Sequence, residues 1–385
     1  MKYIKVLSSA LWLLVAALVV PAKGEEIGIA AKYPGDKGIG QDSSVVFYEN
    51  FEGNSVADVV KRWTSVSDDD RMSLLSDVPP SSSGKKSIQF TSINGETSGG
   101  RLYQRFSPGY DQLYMRYYVK YASKPTYYHH SGGQLAGCSQ PTGTCGGNAG
   151  IKPGGNYFNM GFEPNYEFDQ PATGIRMDFY VYWMNMRVGS SGSYWGNTFV
   201  HDPKVKVDYE TWNCIETMLK INNPVTSSNG ELAVWLNGVK INHYGPGYPK
   251  GGWTSGNDFV PDSSGTPFEG FQWRDVESLK ITLMKIEHYV EDGEEEAGFV
   301  GKLGFDDLVI ATKYIGPISL KTGKSGFKPS VKPFKQSAPQ FRKSVGKGNS
   351  FNLMIEKFSD KGLVEYFSLK GDRIYPGVVR SERFY

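Results

Sequence analysis

The stretch Arg176-Met177-Asp178-Phe179-Tyr180-Val181-Tyr182-Trp183 decides the fold class of this chain. Successive side chains of a β-strand point to opposite faces of the sheet. One face is apolar and predicts a buried core, with Met177, Phe179, Val181 and Trp183. The other face combines charge with aromatic rings, in Arg176, Asp178, Tyr180 and Tyr182. Such a face is typical of the floor of a sugar-binding groove, because rings stack on sugars and charges bind their substituents, although an ordinary solvent-exposed face is the alternative.

The rest of residues 45–318 has the composition of an antiparallel β-protein. Runs rich in Tyr, Phe, Val, Ile and Trp occur at 113–121, 175–187, 212–222, 231–241, 278–290 and 305–314. Asn237-Gly238 predicts a tight hairpin, since both residues tolerate positive φ angles. The 46 glycines and 24 tyrosines suit many turns and half-exposed aromatic side chains. No segment repeats at a fixed period, so we expect an all-β sandwich.

The segment 113–121 shows the same mixed face. Tyr114, Arg116 and Tyr118 alternate with apolar residues. We expect this strand to lie in the same sheet as 176–183, and we therefore predict that these three residues bind substrate. A basic, aromatic trough fits an anionic polymer, whereas a net charge of only +2 gives no indication of nucleic-acid binding.

The N-terminus predicts export. A basic head with Lys2 and Lys5 precedes an apolar run at 6–20, and small residues follow the run where a signal peptidase would cut. We assign 1–24 as a signal peptide and expect a secreted or cell-surface protein. A membrane anchor is the alternative, but the run is short, because a spanning helix needs about 20 apolar residues.

Two further regions follow the β-rich body. Residues 321–350 hold eight Lys or Arg and no acid, interleaved with Pro, Ser and Gly. This composition predicts an extended linker over 319–350, with binding of an acidic polymer as the alternative. Residues 351–385 read as strand, turn and strand, and they loosely resemble the C-terminal sorting domains of bacterial type IX secretion. That resemblance implies a contact with export machinery; a small accessory β-domain is the alternative.

The chain has three cysteines. Cys138 and Cys145 flank a loop rich in Gly, Pro and Thr, and we predict that they form a disulfide in an oxidising compartment. Cys214 lies in a strand-like run and is expected to be a buried thiol, although an odd count also permits pairing between chains. No pair of cysteines has the spacing of a zinc site.

The segment Tyr127-Tyr128-His129-His130-Ser131-Gly132-Gly133-Gln134-Leu135-Ala136-Gly137 indicates the function most directly. Its Gly-Gly-Gln-Leu-Ala-Gly resembles the Gly-Gly-Lys-Leu-Pro-Gly of jelly-roll polysaccharide lyases of the alginate and glucuronan type. Other segments that resemble that superfamily occur along the chain in the order found in the family, at 47–53, 113–120, 212–222, 235–238 and 305–312. The resemblance covers most of 45–318. It implies a concanavalin-like jelly roll with two antiparallel sheets and a groove for the substrate.

The resemblance also implies a reaction, the β-elimination of an acidic, uronate-containing polysaccharide. Such a lyase neutralises the sugar carboxylate, removes the C5 proton and protonates the leaving oxygen. The motif lysine, a base in the family, is replaced by Gln134, and an amide cannot take a proton at neutral pH. We assign carboxylate neutralisation to Gln134 or Arg176. The candidate base is His129 or His130, because histidine titrates near the working pH. The candidate acid is Tyr180 or Tyr182.

Three more polar residues are predicted to line the groove: Asp178, Glu216 and His288. A glycoside hydrolase needs two opposed carboxylates, and Asp178 and Glu216 are the best candidates for that pair. Glu287 is a third candidate. A hydrolase is therefore one alternative. A non-catalytic glycan-binding or surface protein on the same scaffold is the other, and the replacement of the motif lysine favours it.

Acidic residues near both ends of the β-rich body predict a structural calcium ion. Glu49, Glu52 and Asp307 are expected to meet where the first and last strands pair, and hard oxygen ligands suit Ca²⁺. Turn and edge positions are the alternative. Catalysis is expected to need no cofactor. The sequence has no phosphate loop, nucleotide fingerprint or Ser-His-Asp signature.

Overall fold

The computed structural model describes residues 27–319 except 98, 123–127, 129, 141–144, 146–148, 166–172, 201, 255 and 291–297, together with three short strands between 355 and 374. The predicted signal peptide lies outside these residues, as does the predicted linker apart from Ser319. The chain divides into two compact units, Met1–Pro329 and Ser330–Tyr385. No helix among the residues described is long and apolar enough to cross a membrane.

Two antiparallel sheets form the first unit, and we call them the back sheet and the front sheet. The back sheet contains β1 (Val45–Glu49), β3 (Met72–Leu75), β4 (Ser87–Ile93), β6 (Gln112–Tyr121), β11 (Asn213–Lys220), β12 (Glu231–Leu236), β13 (Val239–Tyr244) and β18 (Val300–Ala311). The front sheet contains β2 (Ser65–Ser67), β5 (Arg101–Tyr110), β7 (Ser131–Cys138), β8 (Tyr157–Pro164), β9 (Gly174–Tyr182), β10 (Lys206–Asp208) and β17 (Ile281–His288).

Strand order is that of a sandwich with long-range pairing. The back sheet runs β13-β12-β11-β6-β18-β4-β3, with β1 also pairing with β18, and the front sheet runs β10-β9-β8-β7-β17-β5-β2. A small third sheet contains β14 (Lys250–Trp253), β15 (Phe259–Pro261) and β16 (Thr266–Pro267). One short α-helix, α1 (Val56–Val60), and four 3₁₀ turns (Ile29–Lys32, Pro34–Asp36, Ile39–Gln41, Asp69–Arg71) complete the elements described in this unit. The prediction of an all-β jelly-roll sandwich is confirmed.

The core lies between the sheets and fixes which side chains face outward from the front sheet. The Tyr117 ring of β6 extends from the back sheet to β7, where its hydroxyl accepts the Gly133 N–H at 3.0 Å. A Cβ on Gly133 would lie only 2.5 Å from that ring, so the position admits only glycine. Because Gly133 faces the core, its neighbour Gln134 faces the opposite side.

The prediction that 113–121 and 176–183 share a sheet was wrong: β6 lies in the back sheet and β9 in the front sheet. The mixed face of β6 is covered by the N-terminal 3₁₀ segments. Arg116 is fully buried there, paired with Asp36 and donating to the Asp307 carbonyl at 2.9 Å. Tyr118 is also buried, and its hydroxyl accepts the Ile318 N–H.

Tyr114 packs against Trp235 and Tyr314 on this same covered face. The structure thus places Tyr114, Arg116 and Tyr118 away from the front face, and their role there is structural. Polar residues on a strand face can serve a buried ion pair as well as a groove, and the strand pattern alone does not separate the two.

In the second unit, three short strands pair antiparallel in the order β19 (Ile355–Phe358), β20 (Val364–Phe367) and β21 (Arg373–Ile374). This agrees with the strand, turn and strand pattern of the sequence. The sorting-domain prediction is not supported by this pairing, which any small β-module shares.

Candidate functional site

Strand register places one row of side chains across the front sheet. Lys285 of β17 lies opposite Gln134 of β7, Gln134 lies opposite Gly161 of β8, and Gly161 lies opposite Tyr180 of β9. Direct partners in antiparallel strands point to the same face. These residues therefore share the outward face, although they are far apart in the sequence.

A second row of acids lies next to the first. Glu163 of β8 is opposite Asp178 of β9, and Glu287 of β17 is opposite Arg101 of β5. The Gln134 amide nitrogen joins the two strands, because it donates to Glu287 at 2.9 Å and to Glu163 at 3.3 Å. Both carboxylates are almost completely buried.

Cations surround Glu287. The Lys285 ammonium lies 2.5 Å from one carboxylate oxygen, and the Arg101 guanidinium lies 3.1 Å from the other. Burial alone raises the pKa of Glu287, but Lys285, His130 and Arg101 outweigh it and hold the pKa below its ordinary value. Glu287 is therefore an anion that holds cations in place under the floor of the front face.

His130 is held by the other carboxylate. Its Nδ1 lies 2.7 Å from the Glu163 Oε1, and its ring packs on Tyr180 with the ring centres 4.9 Å apart. Burial lowers the pKa of His130, but Glu163 and Glu287 outweigh this effect and raise it above the ordinary value. Since Nδ1 is bound to Glu163, proton transfer to a ligand would use Nε2.

The structure distinguishes the two tyrosines of β9. Tyr180 lines a cleft with His130 and Glu163. Tyr182 is only 4% exposed, and its hydroxyl accepts the Gly150 N–H at 3.4 Å, so a loop covers it. The two hydroxyls are 3.4 Å apart. Burial raises the pKa of Tyr180 far above its ordinary value, so this residue keeps its proton and can donate it.

The cleft beside Tyr180 has a volume of about 300 Å³. Next to the cleft, Gly161 lets Gln134 and Glu163 approach the β8 backbone closely, because a Cβ there would lie 3.0 Å from both side chains. Trp195 forms part of the wall and is 46% exposed, so a ligand in the cleft can reach its ring. An exposed ring beside buried, charged groups is the arrangement expected of a sugar-binding cleft.

The disulfide lies at the far end of the same face. Cys138 and Cys145 are bonded as predicted, and they pack on Tyr103, Ala136 and Leu283. Cys138 is the last residue of β7 and lies two outward-facing positions beyond Gln134. The disulfide therefore bounds the open part of the front face. Cys214 is the buried thiol that the sequence predicts.

Other predicted site residues have structural roles. Glu216 lies in the back sheet, where its carboxylate accepts the N–H groups of Ile315 and Gly316. His288 points into the core between Ser92 and Ser131, at 3.0 Å from each hydroxyl, and burial lowers its pKa to about 3. Both placements contradict the prediction that these residues line the groove.

The remaining predicted residues are divided by placement. Asp178 lines the cleft, but one of its oxygens accepts backbone N–H groups from Phe199 and Val200 at 2.9 and 2.8 Å, which favours a role in holding the cleft wall. Arg176 shares the face of Tyr180 by strand alternation and lies two positions beyond Asp178. His129 lies outside the described residues.

The proposed calcium ligands are only partly brought together. Glu49 is bound to Arg62 at 2.5 Å, so it is committed to an ion pair. Asp307 is buried in an irregularity of β18, and burial, followed by the nearby Asp36 and Glu52, raises its pKa above the ordinary value. One oxygen each of Asp306 and Asp307 is buried without a hydrogen-bond partner. No group of three His, Cys, Asp or Glu that could hold an ion occurs among the residues described.

Sequence reasoning missed the residues that complete the site: Arg101, Glu163, Trp195 and Lys285. Strand alternation could have found two of them. In β8, Asn159, Gly161 and Glu163 alternate with Phe158, Met160 and Phe162, and in β17 Lys285 and Glu287 alternate with Ile286 and His288. Only the register shows that these faces converge on Gln134.

Comparison with known proteins gives a likeness in fold. No protein-family model matches the chain, and no curated protein matches it. Among solved structures, the marine alginate lyase of polysaccharide lyase family 14 from Aplysia kurodai is 16% identical with a TM-score of 0.48, over 70% of this chain and 100% of that one.

A second similar structure is an alginate lyase from a Chlorella virus, which is 12% identical with a TM-score of 0.45, over 70% of this chain and 99% of that one. A third is the endo-β-1,4-glucuronan lyase of Trichoderma reesei, which is 11% identical with a TM-score of 0.40, over 70% of this chain and 96% of that one. At identities this low and with TM-scores below 0.5, these likenesses say nothing about the activity of this chain.

Proposed function

We propose that the front-sheet cleft binds an acidic, uronate-containing polysaccharide and cleaves it by β-elimination. One observation carries the proposal: a histidine held by a carboxylate and a protonated tyrosine line the same cleft side by side. The distances are 2.7 Å from His130 to Glu163 and 4.9 Å between the His130 and Tyr180 ring centres. The motif resemblance around Gln134 supports the same reaction.

Each residue has a separate task in this reaction. His130, in its neutral form, takes the C5 proton of the uronate. The electron pair left behind forms the C4–C5 double bond as the C4–O bond breaks, and Tyr180 gives its proton to the departing oxygen. Glu163 orients His130 and stabilises the charge that the ring acquires. Trp195 offers a stacking surface for a neighbouring sugar.

The spacing of base and acid also narrows the substrate. Ring centres 4.9 Å apart leave no room for a sugar ring between His130 and Tyr180. Both proton transfers therefore occur on one face of the sugar, which requires the C5 hydrogen and the C4 oxygen to lie on the same side of the ring. Uronates of the glucuronate and mannuronate configuration meet this condition, whereas galacturonate and guluronate do not.

Product analysis tests the proposal. The purified protein is incubated with glucuronan, polymannuronate, polyguluronate and polygalacturonate, and the ultraviolet absorbance of the new double bond is followed. We expect the first two to be cleaved faster than the last two. Absence of unsaturated product with all four polymers, despite measurable binding, would leave the non-catalytic alternative. New reducing ends without unsaturation would instead indicate a hydrolase.

The non-catalytic alternative rests on one feature, the amide of Gln134 where the motif has lysine. In that case the same cleft binds the polymer without cutting it. The hydrolase alternative is weaker in this geometry, because Glu163 and Glu287 are both buried and bound to Gln134 and neighbouring cations.

Export and a structural cation complete the proposal. We infer that the protein acts after secretion, which its disulfide supports. A structural Ca²⁺ ion stays a prediction for the region of Asp306 and Asp307, where each has one unpartnered oxygen and Glu52 is nearby, although the described residues form no group of three such ligands. The ion would stabilise the fold, and no step of the reaction passes through it.

A further inference from the structure

A lysine lies across the strand pair from the position where the lyase motif has one. Gln134 of β7 and Lys285 of β17 are direct partners, so their side chains leave the front sheet on the same face. The Cβ atoms of such partners are about 5 Å apart. The four-carbon stem of lysine can span that distance, so its ammonium can serve the space above its neighbour.

Gln134 itself is poorly suited to bind a substrate carboxylate. An amide nitrogen has two N–H groups, and those of Gln134 point to Glu287 and Glu163. Both donors are therefore committed to carboxylates of the protein. The remaining amide atom is an oxygen, which would repel a third carboxylate.

Lys285 meets the requirements that Gln134 does not. An ammonium has three N–H groups, and the contact with Glu287 at 2.5 Å needs only one of them. The lysine side chain is 21% exposed, against 3% for its Glu287 partner, so the lysine is the member of the pair that a ligand on the front face can reach. It is also close enough to His130 to lower the pKa of that ring. Glu287 thus fixes the ammonium on the outward face, within electrostatic reach of the candidate base.

We propose that Lys285, on the strand next to the motif position, binds and neutralises the carboxylate of the uronate at the point of cleavage. This inference rests on the proposed function and adds the group that makes the C5 proton acidic. As His130 removes that proton, negative charge moves toward the carboxylate, and the fixed ammonium stabilises it. The proton goes to His130, the electron pair to the C4–C5 double bond, and the Tyr180 proton to the released oxygen.

The test moves the charge between the two strands. Four variants are compared with the wild type: K285Q, Q134K, the exchange Q134K/K285Q, and the control K302Q, whose exposed lysine lies in the back sheet. We expect K285Q to lower kcat on the best uronate polymer about 100-fold and K302Q to leave it unchanged. The exchange variant should recover at least about tenfold over K285Q, because it restores one ammonium to the same row.

A binding measurement keeps the inference testable if an assay of turnover fails. In a Y180F background, K285Q should weaken the binding of a uronate oligosaccharide about tenfold or more and reduce its dependence on salt, and K302Q should not. Full kcat and unchanged binding in K285Q would overturn the role of Lys285 while leaving the lyase proposal intact. If the wild type forms no unsaturated product but its binding still depends on Lys285, the proposed β-elimination is refuted and the binding role of Lys285 is kept. An exchange variant no better than a folded K285Q would also count against the inference.

Discussion

Removing one hydroxyl group separates the two tyrosines of β9. In Y180F the ring keeps its packing on His130 and against Gly196, where a Cβ would come within 2.5 Å of the Tyr180 ring. The hydroxyl contacts Tyr182 at 3.4 Å, which is a long hydrogen bond, and it also accepts a hydrogen bond from the Gly196 backbone. Its loss should therefore lower the free energy of unfolding by about 1–2 kcal/mol. If Tyr180 is the acid, kcat should fall about 10² to 10⁴-fold.

Y182F is the matched control for this prediction. It removes a hydroxyl from the same strand face, but that hydroxyl lies under the Gly150 loop, and the side chain is 4% exposed. We expect Y182F to keep its kcat within about threefold and to lose no more than about 1 kcal/mol of stability. Initial rates of double-bond formation and urea unfolding are measured for both variants. A large loss of kcat in Y182F with near wild-type rates in Y180F would refute the assignment of the acid.

Three further predictions use other parts of the molecule. E163Q removes the carboxylate that raises the pKa of His130. Because the base must be neutral, activity falls as the pH drops through that pKa, so in E163Q the acidic limb of the rate profile should move to lower pH. An acidic limb that does not move would contradict the role of His130. Millimolar Ca²⁺ should raise the Tm of the wild type but not of D307N, and equal shifts in both would exclude the proposed ion site. The C138S/C145S double variant should lose about 2–3 kcal/mol in urea unfolding relative to the oxidised wild type, and an unchanged midpoint would show that the bond contributes nothing to stability.

Parts of the candidate site were accessible from sequence because they are local. The alternation in 176–183 placed Tyr180 on an outward face, and the glycine-rich motif pointed to Gln134 and the neighbouring His130. Such patterns depend only on the period of a strand, so they survive without knowledge of the partners. The disulfide between Cys138 and Cys145 is local in the same sense.

Errors arose where the partner of a strand mattered. Arg116 reads as a groove residue by alternation, yet Asp36 from the N-terminal segment covers it and fixes it in the back sheet. His288 lies on the same strand as Lys285, but three residues further along, so it points to the opposite face and enters the core. Polarity alone does not tell a buried, paired group from a functional one.

By itself the sequence determined the β-architecture, the outward face of β9 and the absence of lysine at position 134. These follow from strand periodicity, turn chemistry and one short motif. Only the tertiary structure decided which faces meet, because antiparallel pairing joins residues as distant as Gln134 and Lys285 into one row. The positive charge that β7 lacks at position 134 is supplied by Lys285 of β17. The register of the sheet shows this pairing, and the order of residues along the chain does not.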